Sequence, residues 1–159
     1  MTRRQLLSAL AAIGLARTGA GVAAAAERAD AVHRSDEEWR KRLTSAQYDV
    51  LRREGTEPPF ASPLNGEKRR GIYRCAGCEL ALFTSEMKFD SGTGWPSFTT
   101  ALPDAVSTRT DYKLLLPRTE YHCARCGGHQ GHVFNDGPKP TGKRYCNNGV
   151  ALAFEPQGA

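Results

Sequence analysis

The residues of this chain best suited to chemistry are its five cysteines, and their spacing divides them. Cys75 and Cys78 bracket "CAGC", Cys123 and Cys126 bracket "CARC", and Cys146 stands alone in "GKRYCNNGVALAF". Two CxxC pairs suit a tetrahedral zinc ion, because the turn within each pair aims two sulfurs at one point. The 44 residues between the pairs exceed the about 15–20 of a compact zinc ribbon. Closure entropy, however, grows only logarithmically with loop length. Four thiolates leave no open position on the metal for a catalytic water, so the expected role of a single Zn2+ is structural. Two disulfides, for a chain exported to an oxidising compartment, or simple buried thiols are the competing readings.

With four cysteines so used, Cys146 is the free thiol. An extended "RYCNN" turns Arg144, Cys146 and Asn148 to one face, since side chains alternate along a strand. Arg144 then favours the thiolate, the nucleophilic form, and Asn148 adds an amide able to donate or accept. In "CGGHQGHVF", His129 and His132 lie among Gly127, Gly128 and Gly131, on a loop entering a strand. Imidazoles move protons near neutral pH. A thiolate beside a proton donor fits attack on an electrophilic atom that bears an oxygen. "FDSGTGWPSF", residues 89–98, sets Trp95 in a glycine-rich loop, either as a plug in the core or as the apolar wall of a pocket. Sulfur–aromatic contact favours the second role.

Local signals indicate the elements that must position these groups. In "SDEE", Ser35 precedes Glu38 by three residues, a capping box, and "TSAQ" repeats the device with Thr44 and Gln47. Leu43 and Tyr48 stand where a hydrophobic staple joins the start of the second helix. Gly55 ends that helix, with Pro58 and Pro59 beyond it. The spacing predicts helices over 36–42 and 45–54. After residue 60 come the short apolar runs "GIYRC", "LALF", "AVSTR", "YKLLL", "GHVF" and "GVALAF", separated by glycine, proline, aspartate and asparagine. These predict short antiparallel strands. The body is expected to be mainly β, with helices at its N-terminal side.

The formal charge of +5 and the pI near 9.1 raise the question of nucleic acid. The N-terminus answers it. Arg3 and Arg4 precede an apolar run from Leu6 to Ala16, too short to span a bilayer, which needs about 20 residues. A basic start, a short apolar stretch and a small-residue tail make a secretory signal, and "TRRQLL" resembles the twin-arginine export signal. Residues 1–26 are the expected signal peptide, 27–34 a linker and 35–159 the domain. Removing the three arginines of 1–26 leaves 19 basic against 17 acidic residues, a net of +2. No nucleic-acid partner and no membrane span after cleavage are therefore expected, and export leads to the bacterial periplasm.

The strings "GTEPPF", "YRCAGC", "KFDSGTGWPSF", "CARCGGHQGHVFNDGPKPTGKRYCNN" and "ALAF" resemble the methionine sulfoxide reductase B family, in family order from about Trp39 to Phe154. The resemblance implies two antiparallel sheets with N-terminal helices and one structural zinc held by Cys75, Cys78, Cys123 and Cys126. It implies reduction of the R epimer of methionine sulfoxide in proteins and peptides. It also implies Cys146 as nucleophile, Trp95 against the substrate methyl, and His129, His132, Arg144 and Asn148 as the surrounding catalytic groups, His132 aiding protonation of the departing oxygen. The product on the enzyme is a Cys146 sulfenic acid, restored by a thioredoxin-like or small-thiol reductant. Thr93 occupies the position where many members carry a resolving cysteine, which predicts a one-cysteine cycle. Asn147 and Gly149 also depart from the common pattern, which has an apolar residue and a serine there. The alternative is a zinc-stabilised β binding module of the same fold without activity.

Overall fold

A computed structural model of the chain describes residues 28–158. The expected signal peptide, 1–26, lies outside the described residues. Among the described residues two helices come first, α1 (Asp36–Arg42) and α2 (Ser45–Arg53). Both capping boxes form: the Glu38 N–H donates to Ser35 Oγ, and the Gln47 N–H to Thr44 Oγ1, each reciprocated by the longer side chain. α2 stops one residue earlier than predicted. Glu54, rather than Gly55, takes the left-handed conformation (φ 58°). That conformation costs a non-glycine residue about 1–2 kcal/mol. Ion pairs from Arg109 and Lys113 to the Glu54 carboxylate hold it there.

Nine strands follow: β1 (Gly71–Cys75), β2 (Ala81–Thr84), β3 (Lys88–Phe89), β4 (Ser97–Phe98), β5 (Val106–Asp111), β6 (Arg118–Cys123), β7 (His129–Phe134), β8 (Arg144–Asn147) and β9 (Leu152–Pro156). They form two antiparallel sheets, ordered β2-β1-β9 and β3-β4-β8-β7-β6-β5. Tyr73 and Phe83 of the small sheet meet Phe98 and Tyr121 of the large one, all fully buried. Phe83 stacks on Phe98 with ring centroids 4.1 Å apart, and Tyr73 meets Phe98 edge-on at 5.0 Å. The helices add Trp39, Val50 and Leu51 to this core.

"YKLLL" is not a strand. β5 ends at Asp111, whose carboxylate accepts the N–H of Lys113 and so turns the chain, and Pro117 precedes β6. Residues 112–117 form an exposed loop with Leu114, Leu115 and Leu116 pointing outward.

The large sheet has two unlike faces because the strand period is two. One face carries Phe98, Tyr145 and Tyr121 into the core. On the other, Ser97, Cys146, His132, Glu120 and Arg109 are successive cross-strand partners. The chemistry-bearing residues thus lie in one row across five strands.

Candidate functional site

Cys146 is half-buried near the middle of β8, opposite Ser97 on β4 and His132 on β7. The approach of β7 to β8 is tight: a Cβ on Gly131 would lie 1.9 Å from the Cys146 carbonyl oxygen, so only glycine fits. The thiol opens onto a cavity of about 200 Å³ lined by Thr56, Trp95, Arg118, His132, Phe134 and Asn148, among others. Trp95 is half-buried, and its Nε1 donates to the Glu57 carbonyl at 3.0 Å, which fixes the indole as one wall.

Burial pushes the Cys146 thiol above its ordinary value, against the pull of the Arg144 cation and of a hydrogen bond with Thr93. The expected thiolate is thus opposed in the free protein. Arg144 is also shared: its Nε and one terminal nitrogen bind both carboxylate oxygens of Asp136 at 2.9 and 2.8 Å, and the Asp136 charge adds a smaller upward push.

His132 Nε2 lies 2.8 Å from Asp111 Oδ2. The Lys113 N–H first, then His132 and Arg118, hold the Asp111 carboxyl well below the usual range. The carboxylate can only accept, so His132 Nε2 carries the hydrogen and Nδ1 is left as a base. Burial lowers the His132 pKa, so the ring is neutral near pH 7. His132 and Cys146 are cross-strand neighbours that line the same cavity, and the Asp111 carboxylate orients the imidazole.

His129 is in β7 rather than on a loop, buried, and not among the residues lining the cavity. Its Nδ1 lies 2.6 Å from Glu120 Oε1, and its ring meets that of His132 edge-on at 5.6 Å. Asn148 lines the cavity, but both ends of its amide serve the backbone. Oδ1 accepts from the Glu57 N–H and Nδ2 donates to the Gln130 carbonyl, each at 3.0 Å. Asn147 is fully buried on the opposite face, where it accepts from the Tyr121 hydroxyl at 2.6 Å and donates to the Asn148 carbonyl at 2.8 Å. Gly149 has no room for a serine, because its Cβ would lie 1.9 Å from Ser62 Oγ.

The four paired cysteines come together at the far end of the sheets. Cys75 ends β1 and Cys123 ends β6, so the cluster ties the small sheet to the large one. Their sulfurs all lie within 4.8 Å of one another, with Cys75–Cys126 at 3.7 Å and Cys78–Cys123 at 3.5 Å. A tetrahedral zinc with Zn–S near 2.3 Å requires sulfurs about 3.8 Å apart. The donor set and the spacing fit one zinc ion. Sulfur–sulfur hydrogen bonds drive Cys75 and Cys126 up and Cys78 and Cys123 down, and four thiolates at one point need a cation between them. The two knuckles share a turn: Glu79 (φ 66°) after the first and Gly127 (φ 67°) after the second take the same left-handed place.

The SelR domain family model matches residues 43–156. The peptide methionine sulfoxide reductase MsrB of Agrobacterium fabrum is 52% identical over 126 residues, 79% of this chain and 93% of that protein. The protein of the same description from Methanosarcina barkeri is 53% identical over 126 residues, 79% of this chain and 89% of that protein. This chain belongs to the MsrB family. Among solved structures, the Mis18 "Yippee-like" domain aligns with a TM-score of 0.45 at 18% identity, over 57% of this chain and 100% of that one. That likeness is too partial to inform fold or function.

Within this MsrB-family chain, four site carboxylates escaped sequence reasoning. Asp111 orients His132, Glu120 joins Arg109 to His129, and Asp136 holds Arg144. The Glu57 carboxylate accepts from the N–H groups of Gly149 and Val150 and so anchors the turn after β8. Three of them sit in or beside exposed polar runs and carry no spacing signature. Glu57 lies within "GTEPPF", where only the resemblance marked it. No helix among the described residues is long and apolar enough to cross a membrane.

Proposed function

We propose that this MsrB-family chain reduces methionine-R-sulfoxide in peptides and proteins through Cys146, which becomes a sulfenic acid and is restored by an external thiol. The observation that carries this reading is Cys146 and His132, the latter oriented by Asp111, lining one cavity of about 200 Å³ walled by Trp95. The Cys146 proton passes to His132 Nδ1 as the sulfur bonds to the sulfoxide sulfur. His132 returns the proton to the sulfoxide oxygen. The hydroxyl moves to Cys146, the S–S bond breaks, and methionine leaves. Two electrons have gone from the thiol to the sulfoxide. One external thiol then condenses with the sulfenic acid, releasing water, and a second cleaves the mixed disulfide. Among the described cysteines, the other four belong to the metal cluster, which supports recycling from outside.

Arg144 and Thr93 stabilise the sulfur as its proton departs, and His129 and Asn148 brace the elements that carry His132 and Cys146. Cys75, Cys78, Cys123 and Cys126 would hold a zinc ion that would cross-link the sheets and, with four sulfurs filling its positions, supply no chemistry to the reaction. The N-terminal signal supports export by the twin-arginine route, with cleavage after about Ala26.

The test is a methionyl peptide sulfoxide offered as an R/S mixture with dithiothreitol. Loss of the R epimer alone, abolished by Cys146→Ser, is the expected result. Persistence of both epimers with folded, zinc-loaded protein would leave a zinc-stabilised binding module.

A further inference from the structure

Two carboxamides lie fully buried in the protein, Gln130 on β7 and Asn147 on β8. A buried amide is costly unless its donors and its acceptor are engaged. An apolar pair would fill the same space without that cost, so what the two amides hold is informative.

The groups around each amide fix which end faces which way. The Asn148 carbonyl can only accept, and it lies 2.8 Å from Asn147 Nδ2, so that end of Asn147 is the NH2. The other end, Oδ1, accepts from the Tyr121 hydroxyl at 2.6 Å. Asn147 Nδ2 also donates to Gln130 Oε1 at 3.4 Å. Gln130 must then present its own NH2 at the opposite end, and there Nε2 lies 3.5 Å from Cys75 Sγ. The backbone of Gln130 is pinned as well, because its carbonyl accepts the Asn148 N–H at 2.8 Å and Asn148 Nδ2 at 3.0 Å. One backbone carbonyl thus sets the polarity of a hydrogen-bond chain that ends on a sulfur of the cysteine cluster.

Four thiolates around one divalent cation leave surplus negative charge on the sulfurs. Cys75 is fully buried, so water cannot answer that charge. An N–H aimed at the sulfur does so instead, and groups that touch the ligands rather than the metal orient those ligands and tune the ion.

We propose that Gln130 belongs to the metal site: its amide N–H binds the Cys75 thiolate, stabilises the zinc-bound sulfur, and is aimed there by Asn147. The proposal rests on the zinc reading of the cluster. It gives Asn147, which departs from the common pattern, a part in holding the metal.

The test compares the protein with its Gln130→Met variant, which keeps the length of the side chain and loses the N–H. Zinc affinity is read by competition with a chromophoric chelator. Cobalt(II) in place of zinc reports on the sulfurs through its sulfur-to-metal charge-transfer band. The parent should bind one zinc. Gln130→Met should weaken binding by roughly 10- to 100-fold and move the cobalt band to lower energy, because the sulfur electrons lose the hydrogen bond that stabilised them. Tyr121→Phe is the comparison: it loosens the core but leaves Gln130 on Cys75, so its band should stay with the parent. If Gln130→Met does not fold, Gln130→Leu, Asn147→Leu and Tyr121→Phe combined remove the whole chain without stranding a side-chain partner, and should show the same shift. An unmoved band in the Gln130 variant, with or without weaker binding, overturns the proposal, since lost packing lowers affinity without touching the sulfur electrons. An equal shift in Tyr121→Phe overturns it too, because the band would then report a loosened core. A folded parent that takes up neither zinc nor cobalt sinks the zinc reading, and the proposal with it.

Discussion

Replacing Asp111 by asparagine tests the proposed series of groups at its least obvious member. Asp111 Oδ2 accepts from His132 Nε2 at 2.8 Å and from Arg118 at 2.6 Å, while Oδ1 accepts the Lys113 N–H at 2.8 Å. An asparagine that keeps the Lys113 bond through its oxygen must present its NH2 to His132 Nε2. The ring then loses a charge-assisted bond of about 1.5–3 kcal/mol and gains a neutral bond of about 1 kcal/mol in the opposite tautomer. The sum biases the ring by about 2.5–4 kcal/mol toward carrying its hydrogen on Nδ1, where it cannot take the thiol proton. At 1.36 kcal/mol per decade this is a loss of roughly 10²- to 10³-fold in kcat/KM. The assay is disappearance of the R epimer of a peptide sulfoxide at pH 7 under saturating dithiothreitol, with a thermal melt to verify folding. A folded Asp111→Asn protein within threefold of the parent would refute the assignment of Asp111 and of the His132 tautomer.

Thr93→Val should move the Cys146 alkylation profile to higher pH, because a hydrogen bond favouring the sulfur anion is lost, and Thr93→Ser should restore it. An unchanged profile for the valine variant contradicts the contact. Tyr121→Phe leaves Asn147 Oδ1 buried without its donor and should cost about 1–3 kcal/mol, read as a lower urea midpoint at constant slope. Metal analysis should return one zinc per chain, and Cys78→Ser should lose both the metal and cooperative unfolding; a cooperative melt without zinc would show that the sheets do not need the cross-link. Lys113 holds the Asp111 carboxyl below its usual range, Arg28 holds Asp30 at about 2, and Arg69 holds Glu67 at about 2. Groups depressed in this way contribute stability that is full above their unfolded values, about 4, and is lost as pH falls toward 2. The melting temperature should decline through that window, and a flat profile there would argue against these pairs.

How much could be read in advance followed the range of each signal. The capping boxes of α1 and α2 and the two knuckles are local devices, complete within four residues, and they stand in the structure where the spacing put them. Cys146 was legible by subtraction. The "YKLLL" run misled because apolar composition normally means burial, and here the turn at Asp111 and Pro117 holds the run outside the sheet. β3 and β4, two residues each, are too short to show any period and exist only because β8 pairs with them through β4. Asp111, Glu120 and Asp136 read as surface charges, since nothing nearby in sequence foretells the strand pairing that brings them to His132, His129 and Arg144. Arg144 does favour the thiolate as expected, but the burial of Cys146, which outweighs it, and the partner Asp136, eight residues away across a hairpin, could not be read from the strand alone.

The position of Cys146 on an inner strand of the large sheet has a consequence for variation. Slipping β8 by one residue would turn the thiol into the aromatic core and put the Asn147 side chain on the face that now carries Cys146. Insertions and deletions should therefore accumulate at 135–143 and 112–117 and be absent between His129 and Phe134 or between Arg144 and Asn147. With the working groups mounted on paired strands, a disturbed active site and a disturbed fold become one event. A saturation survey should find few stable but inactive proteins, and those few should cluster on the single row that runs from Ser97 to Arg109 and on Asp111, the partner of His132.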